Sequence, residues 1–424
     1  MGLKEEDIKA IEKIQPLTNI GTAGHVDNGK STLVQALTGT WTAYHSEELK
    51  RGVTLRLGYA DCIIMKCPKC PEPECYTTNA LSPEGVCRKC GSKLEIVRRV
   101  SFVDVPGHEM LMAIMLAGAT LMDGAILVVD ASRNEPLPQT REHFKALEIV
   151  GVRNLIIAQN KIEIVSKDKI LENYEKVKEF IKSTWAEEAP IIPISALHKV
   201  NMDVLIYAIE KIIPTPKRDY TKPARMLIAR SFDVNKPGTP PEKLVGGVIG
   251  GTLIQGRFRV GDELEIRPGL RVVRRGKVEY ESIYTSVVSL KAGNIDVEEA
   301  YPGGLIGVGT LLDPSLTKAD SLIGSVAGKP GTLPPVWDEL TMEAHLLERV
   351  IGLDEMIKVE KIRRGEPLVI NVGTATSLGR VTHVHNEEVE VKLEIPVCAE
   401  EGARVAISRR IKGRWRLIGW GYIK

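Results

Sequence analysis

The segment Gly24-His25-Val26-Asp27-Asn28-Gly29-Lys30-Ser31 constrains this chain more than any other. Its spacing, G-x-x-x-x-G-K-S, is that of a phosphate-binding loop, whose glycines let the backbone curl until several N–H groups converge on one anion. Such a loop sits between a strand and a helix, because the helix N-terminus adds further N–H groups and a favourable dipole. The flanks agree: Leu17–Ile20 reads as the end of a strand, and a helix starts at Lys30 and runs through Leu37. With a nucleotide in place, Lys30 faces the β- and γ-phosphates and the Ser31 hydroxyl faces Mg²⁺. Asp27, Asn28, Gly29 and Thr32 complete the expected cradle.

The first 215 residues supply the fold this loop needs. Apolar runs at Val100–Val105, Gly124–Asp130, Asn154–Gln159 and Pro190–Ser195 read as buried parallel strands. Helical patterns fall between them, at Glu109–Leu121, Thr140–Val150, Lys167–Thr184 and Met202–Ile213. Beyond the basic, proline-bearing Ile213–Arg218 the helical periodicity fades. Short β-rich runs separated by glycine turns take over, the texture of a β-barrel. A second break near Gly328–Gly331 and Pro334-Pro335 divides this part. The expected fold is an α/β P-loop domain (1–215), then two β-barrel domains (216–333 and 334–424).

Net charge is only +2, so a nucleic-acid partner has to be met by a local patch. Met1–Pro16 is charged, and the apolar stretch Met110–Val129 is broken by Asp123 and Gly124, which points to a cytoplasmic protein with no membrane segment.

Four further segments belong with the phosphate loop. Asp104-Val105-Pro106-Gly107 has the D-x-x-G form; Asp104 suits Mg²⁺ held through water, and the Gly107 N–H suits a γ-phosphate. Asn160-Lys161-Ile162-Glu163 approximates N-K-x-D, in which a carboxylate accepts from the N1 and N2 donors of guanine, donors that adenine lacks on that edge. Ser195-Ala196-Leu197 follows a strand and backs the base. Arg51-Gly52-Val53-Thr54 lies where a closing loop belongs, with Thr54 completing the Mg²⁺ shell. All of these stand at strand ends, where open α/β sheets bind ligands. Glu163 is one methylene longer than the usual Asp. Asn28 occupies a variable position of the loop, so phosphate binding is expected to survive there while nucleotide exchange differs. Asp27 reads either as a solvent-facing turn residue or as a neighbour of a second metal ion.

Five of the seven cysteines lie within 67–90. Cys67-Pro68-Lys69-Cys70 and Cys87-Arg88-Lys89-Cys90 are two C-x-x-C pairs with sixteen residues between them, the spacing of a structural four-thiolate Zn²⁺ site in an insert spanning 62–98. Cys75 is a spare thiol nearby, and Cys62 and Cys398 read as small core residues.

The set of nucleotide motifs resembles the translational GTPases, in which the Pro106-Gly107-His108 phrase is characteristic. The resemblance implies that His108 orients the attacking water; a helix-capping histidine is the plainer reading. A knuckle placed between Thr54 and Asp104 is similar to the gamma subunits of archaeal and eukaryotic translation initiation factor 2. So are the stretch Trp41–Gly52, Met122-Asp123-Gly124-Ala125, Pro138–His143, Arg230–Thr239, Ile407–Arg410 and Trp415–Gly421.

What the resemblance implies is a GTPase that binds GTP or GDP, captures methionylated initiator tRNA and delivers it to the small ribosomal subunit. It implies an alpha subunit on the middle barrel and a beta subunit on the GTPase domain. Chain length is close to the archaeal form. The alternatives are an elongation-type GTPase for elongator or selenocysteyl-tRNA, against which the zinc insert and the lack of a long C-terminal extension speak, and a non-catalytic GTP-binding scaffold. For RNA, residues 403–424 carry seven Lys/Arg and no acid, among them Arg404, Arg409, Arg410, Arg416 and Lys424, interleaved with Trp415, Trp420 and Tyr422. Lys243, Arg257 and Arg259 are further candidates, and Tyr44 and His45 for the aminoacyl end.

Overall fold

The computed structural model describes residues 3–42, 56–353, 355 and 357–424. The chain divides into two compact units, one of residues 8–216 with 349–358, the other of residues 1–7, 217–348 and 359–424.

A short helix α1 (Glu5–Glu12) precedes a seven-stranded sheet. Its strands are β1 (Asn19–Ala23), β2 (Gly58–Lys66), β3 (Tyr76–Thr78), β4 (Glu95–Asp104), β5 (Gly124–Asp130), β6 (Asn154–Asn160) and β7 (Ile191–Pro193), in the spatial order β3-β2-β4-β1-β5-β6-β7. The five strands from β4 to β7 in that order are parallel; β2 pairs antiparallel with β4, and β3 antiparallel with β2. Helices α2 (Lys30–Thr38), α3 (Met112–Ala119), α4 (Pro138–Val150), α5 (Lys167–Ile181) and α6 (Met202–Ile212) alternate with the parallel strands. None of the described helices is long and apolar enough to cross a membrane.

The sequence places a strand end at Ile20, but the first strand only begins at Asn19 and runs on to Ala23. Only Ile20 among its residues is large and apolar, and Asn19 and Thr22 are polar, yet all five are buried. Tertiary partners satisfy them: the Asn19 amide donates to Leu121 O, and the Thr22 hydroxyl donates to Asp104. Gly21 leaves room for the Met122 side chain, whose sulfur lies 1.9 Å from where a Cβ would stand. Local periodicity carries none of this, which is why the sequence misplaces the strand.

The cysteine insert is narrower than 62–98, because Cys62 lies in β2 and Arg98 in β4. Nor is it an appendage. Cys67, Cys75, Tyr76, Leu81 and Leu94 share one apolar core with Leu205, Ile206 and Ile209 of α6. The Tyr76 and Tyr207 rings lie 5.8 Å apart.

In the second unit, β8 (Arg225–Phe232), β9 (Val248–Gln255), β11 (Glu263–Arg274), β12 (Lys277–Ala292), β15 (Ile306–Thr310) and β16 (Val326–Gly328) form a ring closed by the pairing of β11 with β12. Short strands β10 (Phe258–Arg259), β13 (Ile295–Val297) and β14 (Glu299–Ala300) flank it. Met226, Ile228, Leu253, Phe258 and Leu264 fill its centre. A second ring, β17-β20-β19-β18-β21-β22, is closed as well. Its strands are β17 (Val336–Leu346), β18 (Pro367–Val372), β19 (Ala375–His385), β20 (Glu388–Cys398), β21 (Arg404–Ile411) and β22 (Arg414–Ile423). Closure removes the unpaired edges that an open sheet would expose.

Arg98 locks the end of the first unit. Its buried guanidinium donates to Glu210 at 2.8 Å, to Ile213 O at 2.7 Å and to the Thr215 hydroxyl at 3.1 Å. Arg98→Met is expected to leave the half-buried Glu210 carboxylate without its partner, costing about 2 kcal/mol in urea unfolding followed by circular dichroism; an unchanged midpoint would show that the pair adds nothing.

Candidate functional site

The phosphate loop connects β1 to α2. Gly24 has φ 133°, and a Cβ there would stand 2.3 Å from Val128 O. Gly29, at φ 89°, is the residue before α2, and its Cβ would meet the Asn160 amide nitrogen at 2.4 Å. Both positions therefore require glycine, for backbone conformation and for space. Lys30 opens α2 and folds back over the loop, donating to Gly24 O at 3.1 Å and His25 O at 2.8 Å. Burial pushes its ammonium down to about 8, with the carboxylates of Asp104, Asp27 and Glu135 opposing. Asp27 is exposed, at φ 64°.

Asp104, at the end of β4, is fully buried. Three hydroxyls donate to it: Ser31 and Thr42 at 2.6 Å each, and Thr22 at 2.8 Å. The loop motif predicts Ser31 there. It does not predict Thr42, which lies outside the nucleotide motifs and reaches Asp104 only in the folded chain. Gly107 lies against the phosphate loop so closely that a Cβ would sit 2.3 Å from Lys30 Nζ and 2.9 Å from Val26 N. The buried carboxylate with its hydroxyls, the buried ammonium and the glycine-bearing loop together fit a nucleotide phosphate and Mg²⁺.

His108 is half-buried and caps the 3₁₀ turn Glu109–Leu111; its Nδ1 accepts from Met110 N at 3.2 Å. That bond puts the neutral ring's proton on Nε2. The capping role and the proposed catalytic one use different ring nitrogens, so they are compatible. Thr54, Arg51, Gly52, Val53, Tyr44 and His45 lie outside the described residues.

On the base side, Asn160 ends β6 and bridges two loops. Its amide donates to Asn28 O at 2.9 Å and its carbonyl accepts from Ala196 N at 2.9 Å. Lys161, at φ 67°, donates to Asp130 at 2.8 Å. Burial raises the Asp130 carboxyl, but Lys161 and Ser132 outweigh it and hold the group below its ordinary range. Glu163 is exposed in the turn Ile162–Ile164. Ser195 is buried and accepts from His198 N, whereas Leu197 is exposed.

The Asn28 side chain is fully buried and donates to Val128 O and Glu135 Oε1, each at 2.8 Å. Sequence reasoning also passed over His143 in α4 as a site residue. That buried ring accepts from Gly24 N at 3.1 Å, and burial, with Lys30 and His25 adding, lowers its pKa to about 3.

The sulfurs of Cys67, Cys70, Cys87 and Cys90 lie within 4.8 Å of one another, with Cys67–Cys90 at 3.4 Å and Cys70–Cys87 at 3.7 Å. A tetrahedron of about 2.3 Å Zn–S bonds has edges of about 3.8 Å, so the set fits a metal. Cys75 is buried and outside this set. Cys62 and Cys398 are buried, as expected of core residues.

The basic C-terminal stretch is less available to RNA than its composition suggests. Arg416 is buried, and Arg409 is held by Glu366. Lys424 pairs with Glu388 at 2.9 Å, and the Arg404 guanidinium lies 5.5 Å from both the Trp420 and Tyr422 ring centroids. Strand alternation sends these cations to different faces. In the middle barrel Arg257 and Arg259 both pair with Glu299, at 3.4 and 2.5 Å.

Residues 15–215 match the family described as the elongation factor Tu GTP binding domain, and residues 338–423 match the C-terminal family of initiation factor eIF2 gamma. The translation initiation factor 2 subunit gamma of Pyrococcus horikoshii is 63% identical over 410 residues, covering 97% of this chain and 98% of that one. Its counterpart from Methanothermobacter thermautotrophicus is 59% identical over 412 residues, covering 97% and 100%. Among solved structures, a bacterial selenocysteine-specific elongation factor superposes with a TM-score of 0.72 at 21% identity, covering 96% of this chain and 58% of that one. Elongation factor SelB of Methanococcus maripaludis with a GTP analogue gives 0.70 at 22% identity, covering 97% and 79%.

His143 generates a pH prediction. The folded chain keeps it neutral down to about 3, against an ordinary 6.5. The unfolded chain thus binds more protons between these values, so stability falls as pH drops below 6.5, by about 1.4 kcal/mol per pH unit. In urea unfolding at pH 6.5 and 5, His143→Gln, which can still accept from Gly24 N, should show a shallower loss than the parent; equal losses would contradict the assignment.

Proposed function

Because this chain belongs to the family of translation initiation factor 2 gamma subunits, which are translational GTPases, we propose that it carries methionylated initiator tRNA to the small ribosomal subunit in its GTP state and releases it after hydrolysis. The observation that supports this most is the match at about 60% identity along nearly the whole chain, joined to a nucleotide site whose parts stand at the strand ends. The selenocysteine factors share the fold at 21–22% identity, which leaves the initiation reading favoured over the elongation one.

In this reading Gly24–Thr32 cradles the phosphates, with Lys30 neutralising the β- and γ-phosphates. Ser31, Asp104 and Thr54 would hold Mg²⁺, which would supply charge stabilisation at the phosphates, and Asp27 would stand near a second ion. Asn160, Lys161 and Glu163 select guanine, and Ser195, Ala196 and Leu197 back the base. Gly107 meets the γ-phosphate, and His108 orients the attacking water through Nε2. Phosphoryl transfer asks for this kind of positioning and charge stabilisation rather than covalent chemistry. GTP draws in the segments of Thr54 and Gly107, and hydrolysis lets them go.

Cys67, Cys70, Cys87 and Cys90 hold a structural Zn²⁺, since four protein ligands leave no open position. The alpha subunit sits on the middle barrel (216–333) and the beta subunit on the GTPase domain (1–215). The cytoplasm is the compartment where these partners meet.

Three outcomes are expected. Phosphate release from GTP should rise when small ribosomal subunits, initiator tRNA and a start codon are supplied together with the alpha and beta subunits; turnover indifferent to all of them would leave a GTP-binding scaffold as the better account. His108→Ala should lower the stimulated rate by about 100-fold while GTP affinity stays; an unchanged rate would remove His108 from the reaction. Metal analysis should find a single zinc per chain, lost in Cys87→Ser; a metal-free, folded parent protein would refute that site.

A further inference from the structure

Glu135 lies between β5 and α4, outside every nucleotide motif, and is only 2% exposed. A buried carboxylate is tolerated only where donors surround it. Donors do surround Glu135. Its Oε1 accepts from Asn28 Nδ2 at 2.8 Å and from Asp130 N at 3.3 Å; its Oε2 accepts from Leu137 N at 2.7 Å and from the Thr140 hydroxyl at 3.0 Å.

Asn28 is the matching piece. Its amide nitrogen is wedged between two acceptors, Glu135 Oε1 and Val128 O, so its orientation is fixed. Its main-chain carbonyl meanwhile accepts from Asn160 Nδ2, and Asn160 in turn holds Ala196 N. Asn28 thereby connects the loop assigned to the phosphates with the loops assigned to the base, and Glu135 holds Asn28 from below. The same carboxylate braces the main chain at Asp130, whose own side chain holds Lys161.

We propose that Glu135 is a positioning residue which, through Asn28, latches the phosphate loop and sets the rate at which guanine nucleotide leaves. It touches no nucleotide itself. Release requires the loop to loosen, and loosening costs the charge-assisted Asn28–Glu135 bond together with the Asn28–Asn160 one. This inference rests on the guanine-nucleotide reading of the site, which GDP binding by the parent protein checks separately.

The test is stopped-flow release of a fluorescent GDP analogue from the full chain. Asn28→Asp keeps the shape but turns an oxygen toward Glu135 and Val128 O; release should quicken by about ten-fold or more, the scale of a lost hydrogen bond to a charged group. Glu135→Gln keeps an acceptor toward Asn28 and Asp130 N but removes the charge from the Asn28 bond, so release should quicken; in an Asn28→Ala background, where that bond does not exist, the same substitution should change release little. A purely structural role for Glu135 predicts the same added effect in both backgrounds. Should Asn28→Asp fail to fold, Asn28→Ala removes the bond without adding charge and should also release GDP faster. Parent-like release from Asn28→Ala, or a Glu135→Gln effect as large in the Asn28→Ala background as in the parent, would overturn the latch. Failure of the parent protein to bind GDP would instead overturn the reading of the site.

Discussion

A carboxylate shut away from water must be satisfied by the chain around it, and the nucleotide site is organised about one such group. Asp104 draws in hydroxyls from β1 (Thr22), from the first turn of α2 (Ser31) and from the loop after α2 (Thr42). Each donor belongs to a different segment, so the three bonds hold strand, helix and loop in fixed relation. The buried ammonium of Lys30 belongs to the same arrangement. Desolvation disfavours its charge, and nearby carboxylates, Asp104 first among them, partly restore it. Charges kept in this condition are strongly responsive to an incoming phosphate or cation, because little water is present to screen them.

The site is also tied together from beneath. Gly24 is held by His143 through its N–H and by close packing on Val128, and Asn160 spans from the phosphate loop to Ala196. In the proposed site, phosphate and base would therefore meet surfaces that share hydrogen bonds. A change in contacts at one side has a physical route to the other, which a switch requires if two bound states are to differ in more than local contacts.

Much of this was legible in the sequence because backbone demands leave strong signatures. Gly24, Gly29 and Gly107 are glycines for reasons of space that the structure makes explicit, and the C-x-x-C pairs come together with metal-like spacing. The β-barrels were readable from turn glycines and short apolar runs. What was not readable are partners distant in sequence. Thr42, Glu135 and His143 carry no local pattern, and their importance comes from what they meet after folding. The true bounds of the buried strand Asn19–Ala23 were missed for the same reason. Composition misled at the C-terminus, where Arg416 turns inward and Arg404 lies against aromatic rings. The insert also proved more than a metal-held loop, since its apolar residues complete the core around α6.

The central claim is that the γ-phosphate decides whether initiator tRNA is held. The direct measurement is the affinity of the chain for methionylated initiator tRNA and for methionylated elongator tRNA, each with a GTP analogue and with GDP, with and without an alpha subunit. The expected result is a preference for the initiator of about ten-fold, or about 1.4 kcal/mol, present with the GTP analogue and lost with GDP. Equal affinity for both tRNAs, or the same affinity in both nucleotide states, would contradict it.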